Sequence, residues 1–382
     1  MSNKPDLPWI PLPRTAPDAA AEWVKGFSIG DVAVDKPFIL APMSGVTDRA
    51  FRRTVQIASR STVGLLVTEF ICVEGLTADN IQARTRIAFD KKVKRPLAVQ
   101  IFGADIDLMV RASKIVQDCG ADIVDINCGC PAPKVVRRGG GAELMRQGDR
   151  LARMIEACVA AVEIPVTVKM RSGWDTNSVN VREVSRQAES AGAAMIAIHG
   201  RTRKQLYSGE PDWEIIAQVA QDVAVPVVGS GDIASAQGAV AQLQQSGCAG
   251  VMIGRAAVMN PWIFGQIDDM VAGRIPLEPS SDERSRVIIE FAEMMAAYIP
   301  PKAISGRLKQ LLARLTKGIE GGHLLRERAL RARSTQEVLG WVQGFFAAQV
   351  DGTLPAWIDK AHAARSELIR VPRGVKRRRR AA

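Results

Sequence analysis

Residues 97–131 read LAVQIFGADIDLMVRASKIVQDCGADIVDINCGCP, and they hold one complete copy of the unit from which most of the chain is built. Leu97–Ile101 is a short run, apolar except at Gln100, and Ile123–Ile126 is another, apolar except at Asp125. Runs of that kind suit parallel strands covered on both faces, whereas strict alternation suits a strand with one wet face. Between them Leu108–Cys119 has helical spacing and stops at Gly120, the residue type that ends helices in the left-handed conformation. Strand, helix, glycine, strand predicts a βαβ unit.

The same unit recurs on both sides. Eight apolar runs can be marked through residue 278: Phe38–Ala41, Leu65–Thr68, Leu97–Ile101, Ile123–Ile126, Val166–Lys169, Met195–Ile198, Val225–Val228 and Gly250–Ile253. Helical patterns such as Arg150–Val162 and Val181–Ala191 lie between them, and Gly192 and Gly247 repeat the stop seen at Gly120. Eight alternations in about 250 residues predict an α/β fold of the TIM (β/α)8 barrel type. A doubly wound open sheet is the alternative. From Ser280 onward strands cease. Ser280 with Glu283, and Ser334 with Glu337, read as capping boxes, and helices are expected over Asp282–Tyr298, Ala303–Lys317, Leu324–Arg333 and Gln336–Val350. The expected organisation is an N-terminal extension (1–30), a catalytic barrel (31–278), a small all-α domain (279–372) and a basic tail (373–382).

Composition narrows the class. Hydrophobic residues make up 47% and charged residues 24%, as in a folded globular chain. No apolar run reaches the roughly 18 residues of a membrane span. The polar, Pro-rich start lacks the apolar core of a secretory signal. A soluble, cytoplasmic monomer with no membrane partner is expected. The six cysteines are scattered and only Cys128 and Cys130 are close, so no metal site is expected. Net charge is +11, but it is unevenly placed. Residues 279–382 hold 20 Lys and Arg against 10 Asp and Glu, while the preceding residues hold 31 against 30. A polyanion gripped by the C-terminal segment fits that asymmetry.

In a (β/α)8 barrel the chemistry sits where strands end and βα loops begin. Those ends carry Pro42, Met43 and Ser44, then Glu69, Gln100, Asn127, Lys169, His199, Ser230 and Gly231, and Gly254 with Arg255. Eight polar or glycine endings in register exceed what core packing requires. Gly229–Asp232 and Gly254–Arg255 each open a helix after the last two strands, and freed amides beside an arginine suit a phosphate. Lys169, Gln100 and His199 would face an attached ring, as a lysine and an amide suit the pyrimidine end of a flavin. Cys130 lies in the turn Asn127–Pro131 with no base beside it in sequence. A thiol with an ordinary pKa of roughly 8.5 is mostly protonated at neutral pH, so general acid is the preferred role.

These motifs resemble bacterial tRNA-dihydrouridine synthases, most closely the DusB type. The resemblance rests on Ala41–Asp48, the Asn127–Val135 loop, His199–Thr202, Gly231–Asp232 and Gly254–Arg255, in that order, and runs from about Phe38 to Phe264. It implies an FMN cofactor reduced by NADPH, a tRNA substrate and reduction of uridine to 5,6-dihydrouridine. Carried over, Pro42, Met43, Ser44, Gln100, Lys169, Ser230, Gly231, Asp232, Gly254 and Arg255 would contact FMN, with His199 alongside. Cys130 would donate a proton to carbon 5 of uracil while hydride reaches carbon 6. Ser230 stands where that family usually has Asn, Cys128 where it has Met, and Glu143 where it has a small residue. Two other readings remain: an FMN barrel acting on a free pyrimidine, and a non-catalytic RNA-binding protein.

Overall fold

The structure, a computed structural model, describes residues 7, 10–20, 22–87, 96–350 and 353. The tail read over 373–382 lies outside them. Contacts divide the chain into two compact units, Met1–Glu278 and Pro279–Ala382.

In the first unit the strands are β1 (Phe27–Ile29), β2 (Val32–Val34), β3 (Phe38–Leu40), β4 (Leu65–Val67), β5 (Ile71–Cys72) and β6 (Leu97–Phe102). They continue with β7 (Ile123–Cys128), β8 (Val166–Arg171), β9 (Ile196–His199), β10 (Val227–Ser230) and β11 (Gly250–Ile253). Parallel pairing runs from β6 through β11 in sequence order, and β3 pairs with both β11 and β4. A β4–β6 pairing, Leu66 opposite Leu97, completes the ring. An open doubly wound sheet would leave two edges, so this closure decides for the barrel. The eight expected strands are its eight staves. Gly120, Gly192 and Gly247, at φ 82°, 92° and 63°, adopt the left-handed conformation expected of helix stops.

Two layers of apolar packing hold the unit. One lies between the sheet and its helices, where Val99, Ile101, Val124, Ile126, Val168, Ile196 and Ile198 meet Met109, Val116, Leu151 and Ile155. Full burial of side chains of this size is worth about 1.5–3 kcal/mol each. The other fills the lower barrel: Ile39, Leu65, Ala98, Ile123, Ala197, Val228 and Met252 enclose Ile29 and Val34. Those last two belong to the β1–β2 hairpin, which pairs Phe27 with Val34 and Ile29 with Val32. The hairpin closes the barrel's N-terminal end, and it spans the point where the sequence suggested that an extension gives way to the barrel. Nothing in the period of such three-residue strands marked them in advance.

The second unit carries helices Ser281–Ala296, Pro301–Leu315, Gly322–Arg331 and Thr335–Val350. Phe291, Met295, Leu308, Leu312, Leu325, Val342, Phe345 and Phe346 are buried. Ser280 and Glu283 form the reciprocal capping box. At the second expected box the reciprocal bond is displaced. Ser334 Oγ accepts the Glu337 N–H at 3.1 Å, but the Glu337 carboxylate accepts from Arg333 N–H at 2.8 Å, one residue earlier. No helix among the described residues is long and apolar enough to cross a membrane.

Candidate active site

Alternation along the strands, masked in the sequence by overall apolarity, builds the site. On β8, Val166, Val168 and Met170 pack outward against helices, so Thr167, Lys169 and Arg171 share the other, inner face. On β7 the outward residues are Val124, Ile126 and Cys128, which leaves Asp125 and Asn127 inside. Register then sets neighbours: Gln100 opposite Asp125, Asn127 opposite Lys169, and His199 opposite both Arg171 and Ser230. The lower barrel is apolar and its mouth is polar.

The loop after β3, the first strand of the barrel, is tied down from two sides. Met43 N–H donates to Thr47 Oγ1 at 2.9 Å, and Gly45 N–H donates to Glu69 Oε2 at 2.7 Å. Pro42 and Met43 are half-buried and Ser44 is exposed. A side chain on Gly254 would come within 3.6 Å of the Met43 sulfur, so the first and last strand loops meet.

The loop after β7 carries Cys130, which is 8% exposed. Asn127 Oδ1 accepts the N–H groups of Gly129 at 3.2 Å and Cys130 at 2.8 Å. From the other side Arg171 donates to Gly129 carbonyl at 3.0 Å, and also to the carbonyls of Thr202 at 2.8 Å and Leu206 at 3.0 Å. Arg171 thereby fastens the Cys130 loop to the loop after β9. Cys128 is fully buried behind the sheet, where desolvation, then the nearby Asp125 charge, pushes its thiol pKa far up. It is inert; Cys130 is the cysteine at the mouth.

At the ends of β10 and β11, Gly231 has φ 148°, and a side chain there would lie 2.5 Å from Pro211. The N–H groups of Gly231, Asp232 and Gly254 donate to no other described residue. The Asp232 side chain is committed elsewhere: Arg201 grips it with both terminal nitrogens and Arg255 binds the same carboxylate. The Asp232 main-chain N–H stays available beside it. Tyr207 lies between two guanidinium groups, with Arg255 at 5.2 Å and Arg171 at 5.8 Å from its ring centroid.

Cations dominate the mouth electrically. Among the described residues neither the Lys169 ammonium nor the His199 imidazole hydrogen-bonds to a protein group, although both main chains are paired in the sheet. Burial, followed by the neighbouring Arg171 charge, lowers the Lys169 pKa to about 8, against the pull of Asp125. His199 is held well below its ordinary value by burial and then by Arg171, Lys169, Arg201 and Arg255, so its imidazole is neutral at pH 7. Gln100, expected to face a ligand, is fully enclosed, and each end of its amide makes one bond to protein, at 2.5 Å to Asp125 and 2.7 Å to Asn127. Among the described residues no group of three or more His, Cys, Asp or Glu could hold a metal.

The dihydrouridine synthase family profile matches residues 39–349, across both compact units. The chain belongs to the dihydrouridine synthase family. A relative from Rhodobacter capsulatus named "Probable tRNA-dihydrouridine synthase" is 44% identical over 272 residues, 71% of this chain and 83% of the relative. The Pseudomonas aeruginosa protein named "tRNA-dihydrouridine synthase B" is 36% identical over 328 residues, 85% of this chain and 97% of that one. Among solved structures, the 6-hydroxypseudooxynicotine amine oxidase of Pseudomonas geniculata superposes with a TM-score of 0.50 at 14% identity. It covers 70% of this chain and 52% of that one, a likeness of fold. As a dihydrouridine synthase family member the protein is an enzyme. Sequence reasoning overlooked three of its mouth residues: Asp125, Arg171 and Arg201. The first two are legible as polar positions at spacing two in VDIN and VKMR, and Arg201 lies in the His199–Thr202 turn without being singled out there.

Proposed function

We propose that this enzyme reduces uridine in tRNA to 5,6-dihydrouridine, using NADPH and a noncovalently held FMN. The observation that carries the reading is the meeting, at one barrel mouth, of unbonded cationic and donor groups with the Cys130 loop. The relatives' names supply the substrate class.

The residues present suit FMN. Main-chain N–H groups at Gly231, Asp232 and Gly254 lack protein acceptors, and Arg255 adds charge, as a phosphate requires. Lys169 carries an ammonium that burial disfavours and that no carboxylate bonds, so an anionic ring edge would offset its cost. Met43 and Ser44 border the same opening, with neutral His199 beside Gly231. When bound, FMN supplies the hydride for carbon 6. Cys130 then gives its proton to carbon 5, and Arg171, whose charge interacts with Cys130, stabilises the thiolate left behind. A uracil reaches this recess only out of its stack. The basic second unit and exposed Lys134, Arg137 and Arg138 beside the Cys130 loop supply phosphate contacts that offset extrusion.

Purified protein tests this directly. It should be yellow, and with NADPH it should form dihydrouridine in unmodified tRNA but not from free uridine. A colourless protein that takes up no added FMN, or equal turnover on free uridine, would overturn the reading.

A further inference from the structure

We propose that Asp125 is a positioning residue, which fixes the Cys130 loop through Gln100 and Asn127. This rests on the reading of Cys130 as the proton donor. The chain of bonds is continuous. Gln100 Nε2 donates to Asp125 Oδ2 at 2.5 Å, Asn127 Nδ2 donates to Gln100 Oε1 at 2.7 Å, and Asn127 Oδ1 accepts from Gly129 and Cys130. Thr167 donates to the other Asp125 oxygen at 2.6 Å. Asp125 is 2% exposed, Gln100 0% and Asn127 6%, so these groups are shielded from bulk water.

The sense of the chain is set at both ends. A carboxylate only accepts, so Gln100 must present its nitrogen to Asp125 and its oxygen to Asn127. Asn127 must then turn its nitrogen to Gln100, which leaves its oxygen for the two loop N–H groups. The two loop N–H groups demand that sense of Asn127 at the near end, and Asp125 demands the matching sense of Gln100 at the far end, two side chains from the loop. Burial raises its pKa, while the bonds from Thr167 and Gln100 and the Lys169 charge favour the ionised form. A buried polar group left without its partner is costly, so a reversed chain would release the loop rather than persist.

The test compares three variants: Asp125→Leu, Asp125→Asn and the double variant Asp125→Asn with Thr167→Val. Asp125→Leu removes the acceptor. Asp125→Asn can keep the sense, because Thr167 Oγ1 can accept from the new amide. The double variant loses that anchor while preserving shape at both positions. The first readout is the rate at which iodoacetamide alkylates Cys130, followed on its own peptide by mass spectrometry, since Cys72 and Cys119 also react. The second is the division between kcat and KM for tRNA, and melting temperature reports folding. Asp125→Leu and the double variant should alkylate at least about tenfold faster, one buried hydrogen bond's worth, and should lose kcat with KM little changed. Asp125→Asn should stay near wild type. Wild-type alkylation and kcat in the folded double variant would overturn the proposal, and so would an Asp125→Asn variant as impaired as the double one. Alkylation does not depend on what Cys130 does in the reaction. A Cys130→Ala variant with full turnover would therefore sink the acid role and leave this comparison standing.

Discussion

Lys169 carries charge where both burial and Arg171 oppose it, and that opposition makes a prediction opposite to the usual one for an active-site lysine. Its pKa falls from 10.5 to about 8 on folding. A depressed folded value means stability from this group is complete above 10.5 and is lost as pH falls through about 8. At pH 7 the ammonium therefore costs the flavin-free protein about 1–3 kcal/mol. Lys169→Met should raise the melting temperature of flavin-free protein at pH 7, gain nothing above about pH 10.5, and lose FMN affinity. A lower melting temperature at pH 7 would mean that the lysine has a protein partner and is not waiting for an anion. Cys130 and Cys128 separate as cleanly. Cys130→Ala should still accept reducing equivalents from NADPH onto flavin, yet lose about 10²–10⁴ in RNA reduction, the usual worth of a placed acid. Cys128→Ala, behind the sheet, should change stability and leave turnover. Stopped-flow flavin reduction and single-turnover RNA assays read the two halves separately.

At the scale of strands and loops, the sequence exposed the order of elements but not their inner faces. Eight apolar runs and three glycine stops predicted the barrel because burial on both sides erases polarity from a strand. For the same reason Asp125 reads as an interruption of an apolar run, and neither Thr167 nor Arg171, just past the run Val166–Lys169, stands out, although all three belong to inner faces at spacing two. Gln100 was found and its surroundings were not: a strand end marks height in the barrel, and only cross-strand register shows that Asp125 and Asn127 occupy its amide. The β1–β2 hairpin escaped because three residues are too short to show a period. The loop after β7 offers a test at this scale. Gly141 has φ +59°, and a methyl there would lie 2.7 Å from the Cys130 carbonyl oxygen and 2.8 Å from Val135. Gly141→Ala should destabilise the protein by more than about 1 kcal/mol, through strain as well as the clash, and should lower kcat by displacing Cys130. Gly247→Ala sits in open space at φ +63°, so it carries the backbone strain alone and should leave kcat intact. Chemical denaturation with parallel kinetics distinguishes the pair.

For the whole molecule, charge is the quantity that connects the units. The excess of basic residues lies in 279–382, yet Lys134, Arg137 and Arg138 beside the Cys130 loop are exposed as well, so the proposal gives the barrel phosphate contacts of its own. Removing residues 373–382 should flatten the salt dependence of RNA binding, each lost phosphate contact reducing the log–log slope by about 0.7–0.9, while dihydrouridine appears at the same position. Arg137→Glu with Arg138→Glu should flatten it too, and should also lower kcat, since those bases adjoin the chemistry. A tail deletion that moves the modified position would show that the tail steers RNA as well as gripping it. Filter binding across a salt series and site mapping of the product measure both.

Among the described residues, the hairpin closes the bottom of the barrel: Ile29 and Val34 fill the lower end with hydrocarbon, and the polar groups of the interior gather at the mouth. With Cys130 as the proton donor proposed above, its proton would be replaced through the same mouth by which substrate enters, so recharging of the thiol and departure of the product would share one exit.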